Sequence, residues 1–243
     1  MLDVKSIKKL EDANKTVLVR FDLNVPLDEV GGQINDRLTR IKSTINKLQE
    51  LNSKIVILSH LGRPKGATRK DLSLKKIMDQ LEEVLNSKIH FINDCIGDEV
   101  NKKVNSFDQN SIILLENCRF HKEEEENNLE FAKKLSELAD VYVNDAFGCV
   151  HRSHASVDAI TKYIPSYVGN LLDEELTKLH SITEEPESPS ITILGGSKIS
   201  TKISILKNLS IKMDSIVICG GMANNFLAYD GHDIKNSLIE KDV

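Results

Sequence analysis

The sequence predicts an α/β fold: a three-layer domain with a parallel sheet, followed by the first strand–helix units of a second α/β domain. Three observations predict it. Short apolar, β-branched runs recur along the 243 residues. Helical patterns lie between many of them, and such alternation implies right-handed crossovers and a parallel sheet covered on both faces, a Rossmann-like arrangement. Near residue 170 the pattern changes to one longer helix and a proline-bearing break, after which a new strand–loop–helix unit begins.

The runs read as buried strands are 17–21, 54–59, 88–92, 111–115 and 140–143 in the first domain, and 191–194 and 215–219 in the second. Leu38, Ile41, Ile45 and Leu48 fall on one helical face, as do Leu74, Ile77, Met78, Leu81 and Leu85, and then Ala132, Leu135 and Leu138. Leu172, Leu176, Leu179 and Thr183 mark the longer helix, which Pro186 and Pro189 prevent from continuing. The boundaries that follow are 1–170 for the first domain, 171–189 for an interdomain helix and hinge, and 190–243 for a partial second domain. About 54 residues with two strands are too few to bury a normal core. The run His121–Asn128, with four consecutive Glu, reads as a solvated loop leading into a helix near Leu129.

The net charge of −5 argues against a nucleic-acid partner. No apolar run reaches the roughly 18 residues of a membrane span, and the N-terminus lacks a signal-peptide core. Cys95, Cys118, Cys149 and Cys219 are widely spaced and form no CxxC pair, so neither a disulfide framework nor a zinc site is favoured, and a reduced cytoplasmic setting is expected.

Seven Arg stand against twenty-five Lys, and their positions carry information. Arg63, Arg119 and Arg152 each lie shortly after a strand, and Arg37 opens a helix. Arg suits planar, bidentate recognition of carboxylate and phosphate, and open α/β sheets bind ligands beyond the carboxyl ends of their strands. A pocket for a small, strongly anionic substrate follows. Asp22 and Asn24 alternate with Phe21, Leu23 and Val25 and so share a side, offering a carboxylate and an amide to a ligand hydroxyl; an Asx-type turn before Pro26 is the alternative. His60 and Arg63 sit in a loop constrained by Gly62 and Pro64. Arg119 has Glu116 as an alternative partner. His151 and His154 flank Arg152 without a third local metal ligand, so anion binding by Arg152 is preferred.

In the second domain, Gly195 and Gly196 follow a strand and permit close backbone approach to a phosphate, with a helix N-terminus beyond. Lys198 and Lys202 would share a face if that helix has begun. Gly220 and Gly221 repeat the device. Neither GxxxxGK[ST] nor GxGxxG is present, which disfavours a P-loop enzyme and a nicotinamide-dependent dehydrogenase.

RFDLNVP, SHLGRPKG, LLENCRFHKEEE, YVNDAFGCVHRSHAS, ILGGSKIS and CGGMANNF together resemble the phosphoglycerate kinase family in order and approximate spacing, over the whole chain. The resemblance implies a glycolytic and gluconeogenic kinase, a cytoplasmic monomer with two α/β domains closing about a hinge. It implies 3-phosphoglycerate contacts from Asp22, Asn24, Arg37, His60, Arg63, Arg119 and Arg152. It implies ADP or ATP phosphate contacts from Gly196, Ser197, Lys198, Lys202, Gly220 and Gly221. Magnesium would come with the nucleotide, its protein ligand lying in a later segment that the family has beyond Val243. The loop Glu29–Asp36 is short for the family.

The implied reaction is reversible phosphoryl transfer between 1,3-bisphosphoglycerate and ADP. Both nucleophiles are already ionised at neutral pH, so no general base is needed; positioning and charge stabilisation suffice. Arg37 and Lys198 are expected to stabilise the transferring phosphoryl. The alternative is a truncated fragment that binds 3-phosphoglycerate and transfers nothing.

Overall fold

The computed structural model describes residues 4–26, 36–184 and 186–240. It divides into two compact units, Met1–Glu175 and Leu176–Val243.

The first unit is built on a six-stranded sheet. β1 (Thr16–Phe21), β2 (Lys54–Leu58), β3 (Ile89–Ile92), β4 (Ile112–Leu115), β5 (Val141–Asp145) and β6 (Ser166–Val168) lie in the order β3-β4-β2-β1-β5-β6. Every pairing is parallel. Because side chains alternate along a strand, the continuous apolar runs feed two cores. Val17, Val19, Ile55, Ile57, Ile112 and Val143 pack on one face with Leu38 of α1 (Asp36–Arg40), Ile45 and Leu48 of α2 (Lys42–Glu50) and Leu81 and Val84 of α3 (Met78–Leu85). Leu18, Val56, Leu58, Ile113 and Tyr142 pack on the other with Val100 and Val104 of α4 (Asp98–Ser106) and Phe131, Ala132 and Leu135 of α6 (Leu129–Ser136). Each such fully buried aliphatic side chain contributes roughly 1.5–3 kcal/mol. The three-layer expectation holds.

Three details differ from it. β6 is not among the expected strands. The third helix opens as a 3-10 turn at Leu74–Ile77, and Val84 joins its buried face, beside which Met78 and Leu85 pack half-buried as expected. The His121–Asn128 run is not a solvated loop: α5 (Lys122–Glu125) forms there, and Glu124 is completely buried.

The two ends of the sheet are finished differently. At the amino ends, Asn14, Asn52 and Asn110 each adopt positive φ two residues before β1, β2 and β4. Asn tolerates that conformation better than most residues. Their side chains form a ladder, Asn110 donating to Asn52 and Asn52 to Asn14, each at 2.5 Å. The carboxyl ends carry polar loops instead. β1 is the switch strand: the chain moves from it to β2 on one side and returns to β5 on the other. Such a point is where open α/β sheets form their ligand crevice.

In the second unit, β7 (Ile191–Gly195) and β8 (Ser215–Cys219) pair in parallel, with α8 (Ile203–Lys212) and α9 (Gly221–Tyr229) following them. Ile191, Ile193 and Val217 remain exposed, as expected for so few residues. α7 (Asn170–Thr183) forms as the pattern of leucines predicts. No helix among the described residues is long and apolar enough to cross a membrane.

Candidate functional site

The carboxyl end of β1 continues as Asp22 to Val25, with Leu23 and Val25 buried and Asn24 exposed. Asp22 Oδ1 accepts from the Asn24 backbone N–H at 3.2 Å, so the Asx turn exists, while Oδ2 accepts from Arg37 Nη1 at 2.9 Å. Arg37 also reaches the Asn24 carbonyl. Asn24 Oδ1 accepts from the Gly62 N–H at 2.8 Å, tying the β1 loop to the loop after β2. Gly62 adopts φ +63°, which favours glycine, and a Cβ there would also lie 2.7 Å from Leu72 Cδ2 and displace that side chain. Residues 29–35, most of the loop that resembles a shortened family segment, lie outside the described residues.

Arg119 follows β4 in a 3-10 turn that the Asn117 side chain caps. Its side chain is only 2% exposed. Nη1 donates to the Gly62 carbonyl at 3.3 Å, while Nε and Nη2 are buried without hydrogen-bond partners. Glu116 is not its partner. That carboxylate instead accepts from Ser73 Oγ and from the Leu74 and Asn117 N–H groups, and Arg119 faces Glu125 at 3.6 Å. Burial pulls the Arg119 pKa below its ordinary value; the nearby Arg20 charge adds to this.

His60 is 4% exposed and accepts at Nδ1 from Arg20 Nη2, 2.9 Å away. Burial first, and then the fields of Arg20, Arg119 and Arg152, push its imidazole far below the ordinary range and keep it neutral. Arg152 is half-buried beside His151, its Nε 3.4 Å from His151 Nε2. Arg63 is exposed on the loop beside Gly62. Asp22, Asn24, Arg37, His60, Arg119 and Arg152 are thus gathered about one end of the sheet. A cleft of about 190 Å³ is lined by two of them, Asp22 and Arg37, together with Arg40, Asp145 and Gly148; His60, Arg119 and Arg152 do not line it.

Sequence reasoning missed the support beneath these groups. Arg20 sits inside β1, fully buried, on the face that also carries Leu18 and Tyr142. Its Nε donates to Ser156 Oγ at 3.1 Å and its Nη1 to the Phe21 carbonyl at 2.8 Å. Burial opposes its charge, but the fields of Cys118, Cys149, Glu124 and Tyr142 outweigh that and hold the guanidinium above its ordinary range. Glu124 accepts from both Ser156 N–H (2.8 Å) and Ser156 Oγ (2.5 Å). The signal available was a lone Arg inside an apolar strand, since a buried cation demands partners.

Two groups of three donors among the described residues lie close enough to share a metal ion: Asp22, His60 and Cys149, and Asp94, Cys95 and His121. Both mix carboxylate with imidazole and thiol. Magnesium prefers oxygen ligands, so neither fits it. Neither includes His151 or His154. All four cysteines are free.

In the second unit, Met222 N–H donates to the Gly196 carbonyl at 2.9 Å, and a Cβ on Gly220 would stand 3.1 Å from the same carbonyl oxygen. The two glycine turns therefore pack backbone to backbone. Gly220 has φ +69° and directly precedes α9. The first turn differs from expectation: α8 begins at Ile203, so Lys198 lies in the loop and Lys202 at the N-cap, and no shared helical face relates them. Lys202 Cε instead lies 3.3 Å from where a Gly196 Cβ would be, and Lys198 and Ser197 are exposed.

Comparison with known proteins gives a consistent picture. The family model described as phosphoglycerate kinase matches residues 7–243. The chain is 45% identical to the phosphoglycerate kinase of Moorella thermoacetica over 240 residues, covering 98% of this chain and 60% of that protein. It is 46% identical to the Wolbachia pipientis wMel protein of the same name over 244 residues, covering 100% and 61%. The solved structure of phosphoglycerate kinase from Coxiella burnetii superposes with a TM-score of 0.86 at 39% identity, covering 98% of this chain and 60% of that one. That from Pyrococcus horikoshii OT3 gives 0.78 at 29%, covering 95% and 58%. The chain spans about 60% of the length of the curated relatives it matches.

Proposed function

Since the chain belongs to the phosphoglycerate kinase family, we propose that its first unit binds 3-phosphoglycerate or 1,3-bisphosphoglycerate and that the parent activity is reversible phosphoryl transfer to ADP. Arg119 is the observation that carries this reading. Arg119 Nη2 is buried without a partner and Nε has only the Glu125 carboxylate at 3.6 Å, beyond hydrogen-bond length, and a buried donor left unsatisfied costs about 1–3 kcal/mol. A carboxylate or phosphate oxygen would satisfy them, with Arg152 and Arg63 adding charge and His60 a neutral contact. Asp22 and Asn24 would orient the hydroxyl.

Gly196, Ser197, Lys198, Lys202, Gly220 and Gly221 are assigned to the nucleotide phosphates, the glycines for backbone approach and the lysines for charge. Arg37 and Lys198 are assigned to the developing charge on the transferring phosphoryl. Magnesium would accompany the nucleotide; the described residues supply no oxygen-rich set for it, and no step is assigned to it. A cytoplasmic monomer is the setting this reading carries.

Isothermal titration of the chain with 3-phosphoglycerate, beside Arg63→Ala and Arg119→Ala, tests the substrate assignment. Saturable binding lost in the variants is expected; a folded chain that does not bind overturns it. A second reading is favoured by the exposed apolar strands of the second unit: the 243-residue chain binds 3-phosphoglycerate but transfers nothing. An ATP-dependent coupled assay separates the two.

A further inference from the structure

Beneath the Arg/His cluster lies a continuous buried chain of hydrogen bonds with a defined direction. It starts at Glu124, which has no exposure and grips Ser156 through both its N–H and its Oγ–H. The Ser156 carbonyl is held in turn by Tyr142 O–H at 2.5 Å. Because Ser156 Oγ spends its proton on Glu124, it is free to accept from Arg20 Nε. Arg20 Nη1 is spent on the Phe21 carbonyl, and Nη2 faces His60 Nδ1 at 2.9 Å.

The chemistry of these donors leaves one assignment. A guanidinium only donates, so His60 Nδ1 must accept and its single ring proton must sit on Nε2. We propose that Glu124, Ser156 and Arg20 form a positioning relay that locks His60 as the neutral Nε2–H tautomer, so that it offers the anionic substrate a fixed donor rather than a base. The identity of that substrate rests on the functional reading above; the tautomer does not. Among the described residues Nε2 makes no hydrogen bond and is not one of the sealed polar atoms.

The groups facing His60 come from each surrounding segment. Arg20 and Asp22 come from β1 and the loop after it, Arg119 from the turn after β4, and Cys149, Arg152 and His154 from the loop after β5. Arg20, Arg119 and Arg152 face it as cations and oppose its protonation together with burial, while the Asp22 carboxylate acts the other way. A second proton on Nδ1 would also meet Arg20 donor to donor. His60 therefore keeps one proton across about pH 5–8, where an ordinary histidine changes charge.

The test is long-range proton–nitrogen NMR on the 15N-labelled chain, with His60 assigned by comparison with His60→Gln. A protonated Nε2 and bare Nδ1 throughout that pH range are expected. An Nδ1–H tautomer, or a doubly protonated ring near pH 6, overturns the proposal. Ser156→Ala should admit the second tautomer and weaken 3-phosphoglycerate binding about tenfold, the size of one lost charge-assisted hydrogen bond. Glu124→Gln serves the same purpose if Ser156→Ala does not fold. A folded variant with the wild-type tautomer and affinity removes the relay. Wild-type chain showing the Nε2–H form without binding 3-phosphoglycerate sinks the substrate reading and leaves the tautomer standing.

Discussion

Arg37 Nη1 bonds Asp22 Oδ2 at 2.9 Å, so the carboxylate assigned to a substrate hydroxyl is held by the arginine assigned to the transferring phosphoryl. The pair is a surface one, with the Arg37 side chain 53% exposed. Such pairs contribute about 0–1 kcal/mol. Asp22→Asn should therefore leave the urea midpoint nearly unchanged while weakening 3-phosphoglycerate binding at least tenfold by titration. A large loss of stability with intact binding would show that the pair is structural.

Gly148 closes over the same carboxylate: a Cβ there would lie 2.6 Å from Asp22 Oδ2. Gly148→Ala should displace Asp22 from Arg37 and Asn24. Weaker ligand binding with a thermal midpoint shift of only a few degrees is the expected calorimetric result.

Glu124→Ala should destabilise the first unit by about 2–4 kcal/mol, because it strands the Ser156 N–H and Oγ–H donors in the core. Denaturant unfolding measures this directly. A cost below about 1 kcal/mol would mean that water replaces the carboxylate.

Asp145 gives a pH prediction. Burial raises its pKa, and the N–H bond from Leu172 only partly offsets this. A carboxyl whose folded pKa lies above its unfolded value binds its proton more tightly in the native state. Its stabilising contribution is complete below the unfolded pKa and is lost as pH rises through the raised folded value. Asp145→Asn should therefore be least harmful near neutral pH and most harmful in acid, where the native aspartic acid is protonated. Urea titrations at pH 4 and pH 7 that rank the variant the other way would contradict this.

How much is legible depends on what each feature averages over. Apolar runs such as Ile55–Leu58 announce their strands because both faces of the sheet are buried. β6 does not, since it has three half-buried residues after Pro165 and no period to detect. Glu124 is hidden among four consecutive Glu, of which it alone is buried. Hydropathy cannot distinguish one inward carboxylate from its solvated neighbours; only the depth of Ser156 does. Lys198 and Lys202 share a face only if a helix follows the glycine pair at once, yet the chain runs on to Ile203 before winding. The strand-end arginines are visible because each stands apart in sequence and the parallel topology draws those positions together.

The buried position of Arg20 sets stability and recognition against each other. Replacing a buried ionic group and its partners with apolar side chains of similar volume is often neutral or stabilising. A combined Arg20→Met, Glu124→Leu and Ser156→Ala chain is thus a route to a tougher first unit. It would also be one that has lost the orientation of His60. Selection for robustness and selection for discrimination act on the same three side chains, and a search that scores melting temperature alone would erase this wiring first.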